Sequence, residues 1–172
     1  YPLTSLYLQN YDIYDLSPLA KWGNLSRLWL SGEIYYYNPL DLTPLAELED
    51  LTELRITDYD YESEWSGIPD LTPVTNLKSL WMVGTGIEDL AGLGELKDLA
   101  ELDLSGNLIT DVSALAELTQ LTQLNLGGNP ITDVSALAGL TQLKKLVLSN
   151  RGRGHYNSYH PAGFPPQPVA LS

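Results

Sequence analysis

Cysteine is absent from all 172 residues, which excludes disulfides, thiolate metal sites and a cysteine nucleophile. Basic residues are scarce. Nine Lys and Arg stand against 22 Asp and Glu, for a net charge of −13 and a pI near 4.2. That balance argues against nucleic acid or an anionic membrane surface as the main partner, because phosphate binding needs a basic stripe. No apolar run approaches the roughly 18 residues of a membrane span, so direct membrane insertion is not expected. The chain lacks a signal-peptide pattern yet opens at Tyr1 rather than Met, so an upstream segment, targeting included, is expected to have been removed or left out. Only two histidines occur, His155 and His160, and both lie near the C-terminus without a carboxylate and nucleophile in triad-like arrangement. The motifs G-x-S-x-G, H-E-x-x-H and G-x-x-x-x-G-K-[ST] are missing too, so the sequence predicts a protein that is not an enzyme and needs no cofactor.

Leucine, by contrast, is spaced with regularity. Residues 102–123 (LDLSGNLITDVSALAELTQLTQ) align without a gap on residues 124–145 (LNLGGNPITDVSALAGLTQLKK). The same frame runs back through Leu80, Leu54 and Leu28 to Leu6 and forward to Leu146. Six full repeats therefore cover residues 6–145, with a seventh strand beginning at Leu146. L-x-L alternation, as in Leu102-Asp103-Leu104, has the period of a strand with one buried face. Asn107 and Asn129 stand at the following turn, where an amide can bond backbone groups that have left the ladder. Leu115, Leu118 and Leu121 then recur every third residue, a 3₁₀ period and not that of an α-helix. One such unit cannot bury enough apolar surface to be stable alone; stacked units can.

The expected fold is thus an α/β solenoid with a parallel β-sheet on the concave face and short 3₁₀ or irregular segments on the convex face. The domain reading is a solenoid over residues 1–149 and a Pro/Gly-rich basic tail or cap over residues 150–172. The signature L-x-L-x-x-N-x-I-x-D-[LV]-x-x-L-x-x-L-x-x-L resembles the 22-residue leucine-rich repeats of the internalin type, over residues 6–148. The resemblance implies a scaffold for binding, in an extracellular or bacterial cell-surface setting, and names no ligand. Four repeats depart from it at the Asn slot, which holds Tyr11, Glu33, Tyr59 and Thr85. The helical cap typical of internalins is also missing before Leu3.

Two neighbouring repeats carry four extra residues just after the strand. These stretches bring Tyr35, Tyr36 and Tyr37 in one, and Tyr59, Tyr61 and Trp65 in the other. Between the strand leucines, one residue per repeat points to the concave face: Tyr7, Trp29, Arg55, Trp81, Asp103, Asn125 and Val147. Tyr7, Trp29, Arg55 and Trp81 are consecutive rungs, and Tyr, Trp and Arg are the side chains most enriched at binding hot spots. The functional reading is a ligand site on this ladder, rimmed by the two aromatic loops, for a protein or a carbohydrate. The structural reading is that Trp29 and Trp81 sandwich Arg55 as a cation–π stack while the tyrosines pack on one another. Trp22 falls at a core position and is read as structural. All four tryptophans and nine of the eleven tyrosines precede residue 82, which places the expected function in the N-terminal half.

Asp58, Asp60, Glu62 and Glu64 alternate through the third repeat's loop, a weak calcium candidate that lacks the glycine and the final glutamate of an EF-hand. A solvated acidic loop is the preferred reading, and no metal site is expected. Asn24-Leu25-Ser26 is a glycosylation sequon read as a chance occurrence. Residues 144–172 hold four bases and no acid, whereas residues 1–143 carry a net −17. A basic end, an acidic body and leucines at both edges make self-association the alternative function: head-to-tail stacking into a filament.

Overall fold

A computed structural model describes residues 2–9, 15–32, 40–58 and 69–149. Seven parallel strands form one open sheet in sequence order. They are β1 (Ser5–Gln9), β2 (Arg27–Gly32), β3 (Glu53–Asp58), β4 (Ser79–Val83), β5 (Glu101–Asp103), β6 (Gln123–Asn125) and β7 (Lys145–Val147). Their register is one to one, with Leu6, Leu28, Leu54, Leu80, Leu102, Leu124 and Leu146 in a single row. Each of β1 to β6 returns through a 3₁₀ segment: Ser17–Lys21, Thr43–Glu47, Thr72–Val74, Ala91–Glu95, Ser113–Glu117 and Ser135–Gly139. The leucine-every-third period therefore produces the tight i to i+3 turn that it predicts. Leu118 N–H donates to Leu115 O, and Leu121 N–H to Leu118 O, each at 3.0 Å.

Every 3₁₀ segment begins with the same device. An aspartate two residues upstream accepts the first backbone N–H: Asp15 from Ser17, Asp41 from Thr43, Asp70 from Thr72, Asp89 from Ala91, Asp111 from Ser113 and Asp133 from Ser135, at 2.8–2.9 Å. Hydrogen bonding holds four of these carboxyls below the ordinary carboxylate value. At Asp15 and Asp41 the hydroxyl of Ser17 or Thr43 contributes most, followed by its N–H. At Asp70 and Asp133 the N–H of Thr72 or Ser135 leads, followed by the hydroxyl.

Among the described residues, the turns after β4, β5 and β6 are the most densely bonded places in the interior. Buried Asn107 donates from Nδ2 to Met82 O at 2.7 Å and Leu104 O at 2.9 Å. Its Oδ1 accepts from Thr85 N–H at 3.0 Å, Thr85 Oγ1 at 3.1 Å and Ile87 N–H at 3.2 Å. Asn129 repeats the arrangement one rung on, bonding Leu104 O, Leu126 O and Ile109 N–H. Each asparagine thus ties its own repeat to the preceding one. Thr85, which replaces asparagine in the fourth repeat, is held by the asparagine of the fifth.

The core is a continuous column of leucines with Ile56, Met82, Ile87 and Ile109. Trp22 is a correction: it is 41% exposed, not a core residue. The equivalent slot in the later repeats holds Leu48, Val74, Leu96, Leu118 and Leu140, all buried. An indole exceeds the volume of that slot, and the first repeat has a described neighbour on one side only, so the ring stays at the surface. Residues 150–172 lie outside the described residues.

Candidate functional site

The concave face is not uniform. The first four strands run five or six residues, whereas β5 to β7 run three. The longer strands form a wider platform, and the aromatic rungs occupy it. Parallel pairing in strict register sets Tyr7 beside Trp29, Trp29 beside Arg55 and Arg55 beside Trp81. The rings respond to that spacing. Tyr7 meets Trp29 in a T-shaped contact, with centroids 4.3 Å apart and planes at 89°. The Arg55 guanidinium carbon lies 4.1 Å from the centre of the Trp29 ring and 3.9 Å from that of Trp81. The four predicted ladder residues are brought together as one continuous stack, with the Arg55 sandwich of the structural reading at its centre. Each cation–π contact of this kind contributes about 0.5–2 kcal/mol.

Glu53 organises the stack, and the sequence reading did not single it out. Its Oε1 accepts from Trp29 Nε1 at 2.7 Å and from Arg55 Nε at 3.1 Å, while Oε2 lies 3.8 Å from Arg27 Nε. One carboxylate therefore fixes the plane of an indole on β2 and of a guanidinium on its own strand. A legible signal was present: Glu53 is two residues before Arg55, so both point to the same side of β3.

Exposure along the ladder falls from one end to the other. Tyr7 is 38% exposed, Trp29 is half-buried, the Arg55 side chain retains 12% of its surface and Trp81 only 5%. Trp81, which strand alternation places on the concave face, is thus almost closed to solvent. One of its faces is closed by Arg55, so the open part of the stack is its Tyr7–Trp29 end. The far half of the concave face is satisfied internally. Buried Asp103 accepts from Ser105 N–H and Asn125 Nδ2 at 2.9 Å each, and Asn125 Oδ1 accepts from Gly127 N–H at 3.0 Å.

The predicted rim residues Tyr35, Tyr36, Tyr37, Tyr59, Tyr61 and Trp65 lie outside the described residues, as do Asp60, Glu62 and Glu64; Asp58 closes β3. Among the described residues no group of three or more His, Asp or Glu is placed to hold a metal ion. A shallow hollow of about 260 Å³ lies away from the ladder, lined by Glu88, Asp89, Leu90, Ala91, Asp111, Ser113 and Ala114. Asp89 and Asp111 are already committed there to Ala91 and Ser113 N–H, so the hollow follows from the repeat geometry. Exposed leucines mark the two ends of the sheet: Leu3 beside β1, and Leu146 with Leu148 at β7. Among the described residues no helix is long and apolar enough to cross a membrane.

Residues 75–117 and 119–152 match the family model described as Leucine Rich repeats (2 copies). Among solved structures, an internalin (inlF) from Listeria monocytogenes aligns with a TM-score of 0.62 and 36% identity, over 81% of this chain and 38% of that one. An internalin C2 from the same species aligns at 0.66 and 29%, over 84% and 61%. The Arabidopsis receptor kinase HAESA, in complex with the peptide hormone IDA and the co-receptor SERK1, aligns at 0.65 over 86% and 26%; at 23% identity it shows the fold alone. The chain thus spans less than two thirds of the length of each of these proteins. No curated protein matches it in sequence. The strand, turn and 3₁₀ return repeated in register, with the repeat-model match and the likeness to two internalins, make this a leucine-rich repeat chain similar to internalins.

Proposed function

We propose that the chain is a non-enzymatic recognition module that binds a protein ligand on its concave face, at the end formed by β1 to β4, in an extracellular or cell-surface setting. The observation that carries this reading is the Tyr7–Trp29–Arg55–Trp81 stack, which is rigid at its buried end and open at Tyr7 and Trp29. Rings fixed in advance bury apolar area with little rotamer entropy left to lose, which suits a binding hot spot. Leucine-rich repeat proteins of the internalin and receptor type are generally protein-interaction modules, and the two internalin neighbours support the same use here. A protein ligand is favoured over the carbohydrate also expected from the sequence. Arg55 lies over the Trp29 ring and Tyr7 meets it in a T-shaped contact, so at most one indole face is left as a platform for a sugar ring.

The test is a binding screen of the folded chain against extracellular protein domains and a glycan array, followed by Tyr7→Ala. That side chain is exposed enough to be removed without touching the core, and its loss should weaken binding at least about tenfold, as at other hot spots. An unchanged affinity, with circular dichroism confirming the fold, refutes the site. Trp81→Ala is unsuitable for this purpose, since it would open a cavity under the stack.

Head-to-tail assembly is the second reading, favoured by exposed Leu3 at one end of the sheet and Leu146 and Leu148 at the other. Light scattering across a concentration series separates the two: growth into regular fibres supports assembly, and a constant monomer mass removes it.

A further inference from the structure

We propose that the terminal edge of the Arg55 guanidinium is a carboxylate subsite, which takes one carboxylate of the protein ligand end-on between Trp29 and Trp81. This rests on the concave face being the binding face and adds the chemistry of the group it recognises. A guanidinium offers five N–H donors in a planar fork. Arg55 spends one, the Nε proton, on Glu53 at 3.1 Å. Both flat faces are covered by indoles, at 4.1 and 3.9 Å from ring centre to guanidinium carbon. The side chain nevertheless keeps 12% of its surface. With the faces closed and Nε committed, the edge left to a ligand is the Nη1/Nη2 pair. No hydrogen bond from either nitrogen is made to the described residues. That pair matches the two oxygens of a carboxylate, and its plane is held by the stack before any ligand arrives.

Charge selects the same ligand. On the concave positions of β1 to β4 the charged residues are Arg27, Arg55 and Glu53. They leave one positive charge in excess on a protein whose net charge is −13. Glu53 is already shared by Trp29, Arg55 and Arg27. A small positive spot in a negative field admits a single carboxylate at short range and repels a polyanion at long range.

The experiment titrates the full chain by NMR, following the guanidinium protons of Arg55 and the indole N–H of Trp29, with sodium chloride at matched ionic strength as control. Acetate is the first probe. Acetylglycine and acetyl-aspartate amide then separate a C-terminal carboxylate from an acidic side chain as the source. The expected result is a saturable shift in the millimolar range with all three, with the tighter of the last two naming the source. Arg55→Lys keeps the charge without the fork and should weaken acetate about tenfold, and Arg55→Gln should abolish saturation. Shifts that match the chloride control, or saturation that survives in Arg55→Gln, overturn the subsite. Equal affinity in Arg55→Lys overturns the fork. Tighter binding of N-acetylneuraminate than of either peptide mimic would transfer the site to an acidic glycan and overturn the proposal.

Glu53→Gln covers the case in which the Arg55 variants do not fold. It removes the competing charge and should tighten acetate severalfold, and unchanged or weaker binding in a folded variant counts against the subsite. Failure here with Tyr7-dependent protein binding intact leaves the recognition reading standing. Acetate saturation with binding indifferent to Tyr7 would do the reverse.

Discussion

Replacing Asn107 by alanine should be among the most damaging single changes in the chain, although the side chain is small and touches no ligand. Asn107 is 2% exposed and is the sole described side chain bonding four backbone groups within 3.2 Å: Met82 O, Leu104 O, Thr85 N–H and Ile87 N–H. Alanine leaves all four without that partner. An orphaned buried polar group costs about 1–3 kcal/mol, but water entering the vacated space recovers part of it, so the expected loss is about 4 kcal/mol in total. Asn129→Ala offers an internal comparison, because Asn129 holds three such groups and lies one repeat nearer the end of the sheet. It should cost less, by about 1 kcal/mol. Urea unfolding followed by circular dichroism gives the totals. Amide exchange at Thr85 and Ile87 shows whether the loss is local, as expected where each repeat contacts only its neighbours. A loss below about 1 kcal/mol with both amides still protected would refute the reasoning, since backbone rearrangement would then be doing what the asparagine is said to do.

Two further outcomes follow from the turns. The carboxyls of Asp15, Asp41, Asp70 and Asp133 have pKa values lowered by their hydrogen bonds. Their contribution is therefore present above the unfolded aspartate value of about 3.9 and is lost as pH falls through the lower folded values. The urea midpoint should drop below about pH 4, and changing all four to asparagine should flatten that drop; an equally steep profile would point to other groups. Gly106 sits at φ 72° in the turn before Asn107, and Gly106→Ala should cost about 1 kcal/mol by thermal unfolding, because an L side chain strains that backbone.

Much of the fold could be read directly because each of its causes is periodic. Leu102, Leu104, Leu115, Leu118 and Leu121 carry the strand and the 3₁₀ return in their spacing, and Asn107 carries the turn. Trp22 was misread because position in the frame predicts a slot and says nothing of its volume or of whether a neighbouring repeat closes it. The aspartate caps were visible as the D of the signature, yet their role depends on a backbone N–H two residues on, which only the turn brings within 2.9 Å.

Concave position and binding position are different things, and Arg55 and Asp103 show why. Both occupy the same offset of their repeats, both are charged, and strand alternation points both to the same face. Asp103 meets Asn125 in the next rung and its own Ser105 N–H, so its polar capacity is turned inward and its surface vanishes. Arg55 meets a tryptophan on either side, and neither ring can hydrogen-bond the donors along its edge. One carboxylate, Glu53, satisfies Nε and stops there. What distinguishes a candidate binding rung from a structural one is thus the chemistry of the two rungs beside it. In a register this strict, those neighbours are readable from residues 22 to 26 positions away.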